Sequence, residues 1–93
     1  MQHEIVQTAR FKKELKRIIR RGYNLQLMDE VVETLAAGIP LGKKHRDHAL
    51  SGRWSGHREC HITPDWLLVY QTFDDVLVLS LSCTGTHADL ALE

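Results

Sequence analysis

Apolar and polar residues recur with two different periods along this chain, and the period changes near its middle. Residues 2–7, around Glu4-Ile5-Val6, read as a short first strand. Thr8 is placed to cap a helix over 9–21. In it Phe11, Leu15, Ile18 and Ile19 fall at i, i+4, i+7 and i+8 and form one apolar stripe. Gly22 stands where a helix C-terminus favours glycine. Asn24 then caps a second helix over 25–37, with Met28, Val31, Val32, Leu35 and Ile39 on its buried side, and Gly38 and Pro40 stop it. The short link between the two predicts an antiparallel helical hairpin.

No periodicity survives from Leu41 to Ser55. The stretch is basic and punctuated by glycine, a composition suited to a binding loop on a rigid scaffold. Three strands follow, over 57–62, 66–73 and 76–83, where alternation has period two. A two-residue hairpin at Asp74-Asp75 would oppose Leu68 to Leu81, Tyr70 to Leu79 and Thr72 to Leu77 on an apolar side. Leu67 with Ser82 and Val69 with Ser80 would then form a mixed, more open side. A three-residue loop, Thr63-Pro64-Asp65, puts Cys60 and Ile62 on the core side with Trp66 and Leu68, and His61 on the open side beside Leu67. The expected fold is a single α+β domain over 1–93 in the order β-α-α-β-β-β. It has an antiparallel sheet with the helical hairpin packed on one face. In this arrangement Thr84-Gly85-Thr86-His87 emerges beside the Pro64-Asp65 turn, so His61, Asp65 and His87 converge at one end of the sheet.

Charge changes this picture more than composition does. Ninety-three residues suit one domain. The net charge of zero hides an asymmetry, because all twelve Lys and Arg lie between Arg10 and Arg58. Residues 1–58 hold six of the twelve acids, leaving that part +6, and the other six make residues 59–93 −6. A basic, phosphate-facing surface is therefore compatible with a neutral total. No apolar run approaches a membrane span of about 20 residues, and the first residues lack the pattern of a secretory signal. Cys60 and Cys83 form no CxxC pair and are too few for a disulfide scaffold, which fits reduced thiols in the cytoplasm.

Ionisable groups of near-neutral and acidic pKa beside a basic loop suit cleavage of a phosphodiester. RNA carries its own nucleophile, the 2′-hydroxyl. An enzyme must remove that proton, protonate the leaving 5′-oxygen and neutralise the phosphorane, and histidine and arginine suit these tasks without a metal. Each residue also has a plainer reading. Pro64-Asp65 is a common turn pair, a basic helix is more often a solvated face, and Trp54, Trp66 and Tyr70 suit packing better than base stacking. A zinc site is the sharpest rival, since His45-x2-His48 and His57-x3-His61 have ligand spacings. The second pair lies in a predicted strand, where four residues span roughly 13 Å, too far to chelate one ion readily. A third possibility is a non-catalytic module whose basic helix holds an acidic partner.

Four blocks carry a family resemblance: Asp47-His48-Ala49-Leu50-Ser51-Gly52, Trp54-Ser55-Gly56-His57-Arg58, His61-Ile62-Thr63-Pro64-Asp65-Trp66-Leu67-Leu68-Val69-Tyr70 and Thr84-Gly85-Thr86-His87. Together, in this order, they resemble the YafQ branch of the RelE superfamily, toxins of bacterial type II toxin–antitoxin systems. The likeness covers almost the whole chain. It implies a ribosome-dependent mRNA endonuclease acting in the A site of the 70S ribosome, with no cofactor. It also implies a cognate antitoxin that blocks the toxin in a hetero-oligomeric complex. By resemblance the active site is His48, His61, Asp65 and His87, with Asp65 as general base, His87 as general acid and the other two assisting. Arg58 would meet phosphate and Trp66 would adjoin the site. Lys43, Lys44, Arg46 and Arg53 of the loop would face RNA. Lys12, Lys13, Lys16, Arg17 and Arg20 of the first helix would face antitoxin or ribosomal RNA. The chain departs from the family at Cys83, where arginine is frequent, and at Ala91, where an aromatic is usual. These departures leave an alternative, a catalytically weakened relative acting mainly as an antitoxin-binding and co-repressor module.

Overall fold

The computed structural model of the chain describes residues 2–91; Met1, Leu92 and Glu93 of the expected 1–93 domain lie outside the described residues. The elements are β1 (Glu4–Gln7), α1 (Ala9–Arg20), α2 (Leu25–Ala36), β2 (His48–Ala49), β3 (Arg58–Thr63), β4 (Trp66–Phe73), β5 (Val78–Gly85) and α3 (His87–Leu90). Short 3₁₀ turns occupy Lys43–His45 and Gly52–Trp54. The α+β class and element order match expectation, with a two-residue strand inside the basic loop and a final short helix added.

Local chemistry explains the helix bounds. The Thr8 hydroxyl accepts from the Phe11 N–H at 3.0 Å, and the Asn24 side chain accepts from the Gln26 N–H at 3.1 Å, each satisfying a donor left over by the first turn. Gly22 ends α1 with φ +78°, which costs a residue without Cβ little. Phe11 and Ile18 are fully buried, as are most of the apolar positions of α2. Two expected core residues are not: Ile19 is 50% exposed and Ile39 56% exposed. A stripe read at i+7 and i+8 is wider than the face the sheet covers here, and Ile39 lies beyond the end of α2.

The sheet has the order β1-β5-β4-β3-β2 and is mixed rather than wholly antiparallel, because β1 runs parallel to β5. Past Leu81 that pairing stops, and the start of α1 completes the β5 edge. The Thr8 N–H donates to the Leu81 carbonyl at 3.1 Å and the Thr8 hydroxyl to the Ser82 carbonyl at 3.0 Å. Glu14 accepts from the Thr84 N–H at 3.0 Å. These bonds lay the first helix along the strand that leads to His87.

The expected β4–β5 register is corrected by two residues. Tyr70 opposes Leu81 and Thr72 opposes Leu79, because the connection is a four-residue loop, 74–77, and not a two-residue one. Asp74-Asp75 lacks the glycine or asparagine that tight hairpins need, and the left-handed φ falls instead on Leu77, at +54°. A slip of two keeps every side chain on its expected face. A bulge at Ser82 then shifts the pairing again, so Val69 opposes Cys83, Leu68 opposes Thr84 and Leu67 opposes Gly85. The β3–β4 pairing is as expected over Arg58–His61, with His61 opposite Leu67, but the tip is a tighter turn in which Thr63 pairs with Trp66.

Two apolar clusters result. One lies between helices and sheet and includes Phe11, Ile18, Cys60, Trp66, Leu68, Tyr70 and Leu81. The other lies on the opposite face, where Leu67, Val69, Cys83 and Leu90 are buried, with Leu50 and Trp54 packed against them. The face expected to be open is thus roofed in part. The bulge turns Cys83 onto it, and the basic loop folds back over it through β2.

Candidate active site

The second face of the sheet carries the histidines. β2 pairs with β3 so that His48 lies opposite Glu59, and alternation puts His61 on the same face. The Nδ1–H of His48 is directed at the Arg46 carbonyl, 2.7 Å away, and its Nε2 stands 3.4 Å from Oε1 of Glu59. The Nδ1 of His61 faces the Pro64 carbonyl at 3.3 Å, and its Nε2 is 4.0 Å from the same Glu59 oxygen. One buried carboxylate therefore serves two imidazoles.

The third histidine arrives from the other side. Gly85 pairs with Leu67, one position past the turn, so Thr86 opens α3 beside Asp65. Oδ1 of Asp65 accepts from both the side chain and the backbone of His87, the latter at 3.0 Å. Those two hydrogen bonds, the side-chain one foremost, hold the Asp65 carboxyl below its usual range. The His61 ring centroid is 5.4 Å from that of His87 and 6.5 Å from that of His48, so the three imidazoles form one row with His61 in the middle. His48, His61, Asp65 and His87, expected to converge, are together.

Two other expected site residues, Trp66 and Arg58, lie off the histidine row. Trp66, expected to adjoin the RNA site, is 1% exposed. Its indole N–H donates to the Thr84 hydroxyl at 2.9 Å, and Tyr23 packs edge-on at 5.1 Å. It is a core pillar beneath the turn and has no face for a base. Arg58 lies on the helix side of the sheet. Its Nε donates to Asp47 at 3.1 Å, and the Tyr70 hydroxyl donates to the same oxygen at 2.7 Å. That guanidinium is across the sheet from the histidine row. Lys43, Lys44, Arg46 and Arg53 are exposed on the loop. Lys44, with His45, Leu41 and Ile62, lines a groove of 240 Å³ against Leu27 and Val31 of α2.

The cations of α1 divide into two sets. Lys12, Lys13, Lys16 and Arg20 are exposed. Arg17 stands 3.4 Å from Asp89 of α3. Arg10 bonds Glu14 at 2.9 Å and lies 5.5 Å over the Trp54 ring. Burial pushes the Cys83 thiol up to about 11, the Arg10 guanidinium opposing, and the Cys60 thiol up to about 12. Both cysteines are free and neutral at physiological pH.

Sequence reasoning missed Glu59 and Asp89, and named His45 only as a possible zinc ligand. Glu59 shares strand parity with His61 two residues on, a usable signal. His45 fastens the loop to β3, its Nδ1 bonding the His61 carbonyl at 2.7 Å. Asp89 follows Thr86 at capping-box spacing. Among the described residues no group of three or more His, Cys, Asp or Glu is placed to hold a metal ion. Nor is any described helix long and apolar enough to cross a membrane.

Residues 3–92 match the family model described as a bacterial toxin of type II toxin–antitoxin systems, YafQ. The chain is 32% identical over 91 residues to the mRNA interferase toxin YafQ of Escherichia coli K12, covering 97% of each. Among solved structures it resembles YafQ in the E. coli DinJ–YafQ toxin–antitoxin complex, with a TM-score of 0.86, 32% identity and coverage of 97% of this chain and 98% of that one. It also resembles a metal-bound toxin from Helicobacter pylori, with a TM-score of 0.88, 40% identity and coverage of 97% and 99%. The architecture is accordingly the RelE-like one.

Proposed function

The chain belongs to the YafQ family of bacterial type II toxins, and from that premise we propose that it is a ribosome-dependent endoribonuclease cutting translated mRNA in the A site. The observation that carries this is the row of His48, His61 and His87, with Asp65 engaged by the last, beside an exposed basic loop.

The chemistry needs an acid, a base and a sink for charge. Asp65 accepts the Nδ1 hydrogen of His87 and so leaves Nε2 for substrate; when the ring is the imidazolium, with a second hydrogen on Nε2, that Nε2–H is the proton donor. The family resemblance implies Asp65 as base, but a carboxylate already accepting two bonds, with its pKa depressed, is a weak proton acceptor at neutral pH. The geometry supports an orienting role for Asp65. It supports His61 as base, since its Nδ1 is turned to the Pro64 carbonyl and leaves the Nε2 lone pair. The 2′-oxygen attacks phosphorus and its proton passes to His61. The P–O5′ bond breaks, and His87 protonates the departing oxygen. The products carry a 2′,3′-cyclic phosphate and a 5′-hydroxyl. His48, beside Glu59, and the loop cations offset charge on the phosphorane. No metal enters this scheme.

A cognate antitoxin is the proposed protein partner, in a hetero-oligomeric complex, with ribosomal RNA as its competitor for the exposed cations Lys12, Lys13, Lys16 and Arg20, and for Arg17. Translating ribosomes place the activity in the cytoplasm. The test is primer extension on a defined message in a reconstituted translation reaction, with wild type beside Asp65→Ala and His87→Ala. In-frame, ribosome-dependent cuts lost in His87→Ala are expected. A folded wild type that cuts nothing refutes the nuclease and leaves the antitoxin-binding, co-repressor role. The neutral Cys83 thiol, which adds no positive charge beside the histidines, favours that second reading.

A further inference from the structure

His87 sits on a helix of four residues, too short to hold its place by its own hydrogen bonds. What fixes α3 is Asp89. Arg21 donates to both of its oxygens, at 2.6 and 3.1 Å, and Arg17 stands 3.4 Å away. The same carboxylate accepts from the Thr86 N–H at 2.9 Å, and its own N–H donates to the Thr86 hydroxyl at 3.1 Å, closing a capping box. Behind it there is no slack. A Cβ on Gly85 would meet Asp89 Cβ at 2.9 Å and Oδ2 at 3.1 Å. One position on, Leu90 is buried with Leu67, Val69 and Cys83. The bidentate pair with Arg21 thus ties α3 to α1, which is itself bonded along β5.

We propose that Asp89 is the positioning residue for His87: through Arg21 and Arg17 it clamps α3 to α1 and so holds the His87 ring and amide on Asp65. Its bearing on catalysis rests on the nuclease reading; the clamp itself does not. Asp89 touches no reacting atom and acts only through where it puts His87.

Signs separate positioning from plain electrostatics. The Asp65 carboxyl is held low by the two His87 bonds, and the Asp89 charge opposes this. The groups facing the dyad are His61 from β3, Asp89 from α3 itself, and Arg17 and Arg21 from α1 behind Asp89. Removing the Asp89 charge with His87 still in place lowers the Asp65 midpoint further. Releasing His87 raises it.

The experiment follows the His87 backbone amide by NMR through a pH titration, since that N–H donates to Asp65 and reports its ionisation. Asp89→Asn and Arg21→Ala are each expected to raise the Asp65 midpoint and to speed exchange of the His87 amide about tenfold, with partial recovery in Arg21→Lys. Cleavage in the same variants is expected to lose about ten- to a hundredfold in kcat with KM within about twofold, as for a displaced catalytic group. A lower or unchanged midpoint with His87 protection intact overturns the proposal. Arg21→Ala, at an exposed helix end, decides the matter if Asp89→Asn does not fold. If wild-type protein cuts no message, the nuclease reading fails while the amide titration still decides the clamp.

Discussion

Asp65 and His87 are joined twice, ring to carboxylate and backbone N–H to the same oxygen at 3.0 Å. The second bond depends on where α3 starts, so the dyad reads backbone position as well as side-chain identity. His87→Gln keeps the amide bond and removes the ring, the largest cause of the low Asp65 pKa. Cleavage should fall about 10²- to 10⁴-fold. The Asp65 midpoint should move up toward the ordinary carboxylate value, read from its side-chain carbon shift. An Asp65 midpoint unmoved by His87→Gln would show that the ring bond is not made in solution.

Glu59 serves two imidazoles and is buried. Glu59→Gln keeps the shape and deletes the charge. Cleavage is expected to drop roughly tenfold or more, within the usual worth of an acid–base group, with thermal stability little changed. Equal rates for the variant and wild type in primer extension would remove Glu59 from the site.

Trp66 belongs to stability. Trp66→Ala should destabilise by about 3–5 kcal/mol, the cost of emptying a large core position. Trp66→Phe should cost less and leave the Thr84 hydroxyl with one partner fewer. Urea unfolding measures both. Cleavage per folded molecule should be unchanged in Trp66→Phe; a large loss there, at full stability, would return Trp66 to the RNA surface.

Much of this was legible in the sequence, and the limits are physical. Thr8, Asn24 and Gly22 act within a turn of their helices, so the helix bounds could be read locally. Strand parity put His61, Cys60 and Leu67 on their correct faces because β3 and β4 keep their expected register there, and the slip of two between β4 and β5 leaves a period-two pattern intact. The β5 register was not legible, since it depends on which residue accepts a positive φ, and that proved to be Leu77. The parallel pairing of β1 with β5 leaves no periodic trace. Arg58 and Trp66 carry family blocks that imply nearness to the site, yet strand parity, which puts Cys60 and so Arg58 on the core side with Trp66, is what matches their observed directions.

The Asp89 clamp has a pH signature. Its carboxyl is held far below the usual range, first by the Arg21 hydrogen bonds. A depressed folded-state pKa stabilises the fold above the ordinary carboxylate value, and that contribution disappears as pH falls through the depressed one. Arg21 is partly exposed, so solvent screening keeps this contribution small. The melting temperature of wild type should exceed that of Asp89→Asn at pH 7, and the two should converge under strongly acidic conditions.

Salt should separate the two sets of α1 cations. Lys12→Ala with Lys16→Ala removes exposed charge without touching Asp89. Antitoxin and ribosome binding should weaken, with a shallower dependence on ionic strength. Antitoxin affinity that is flat from low to high salt in wild type would remove electrostatics from inhibition.

The order β1-β5-β4-β3-β2 gives the row of histidines unequal anchorage. His87 follows a strand paired on both sides, and His61 lies on one as well. His48 rides on a two-residue strand at the rim, held through β3 alone. Rim segments fray at far lower cost than interior strands. The row is therefore anchored unequally: His61 and the Asp65–His87 dyad lie on or beside interior strands, and His48 belongs to an edge segment that Asp47 also ties to Tyr70.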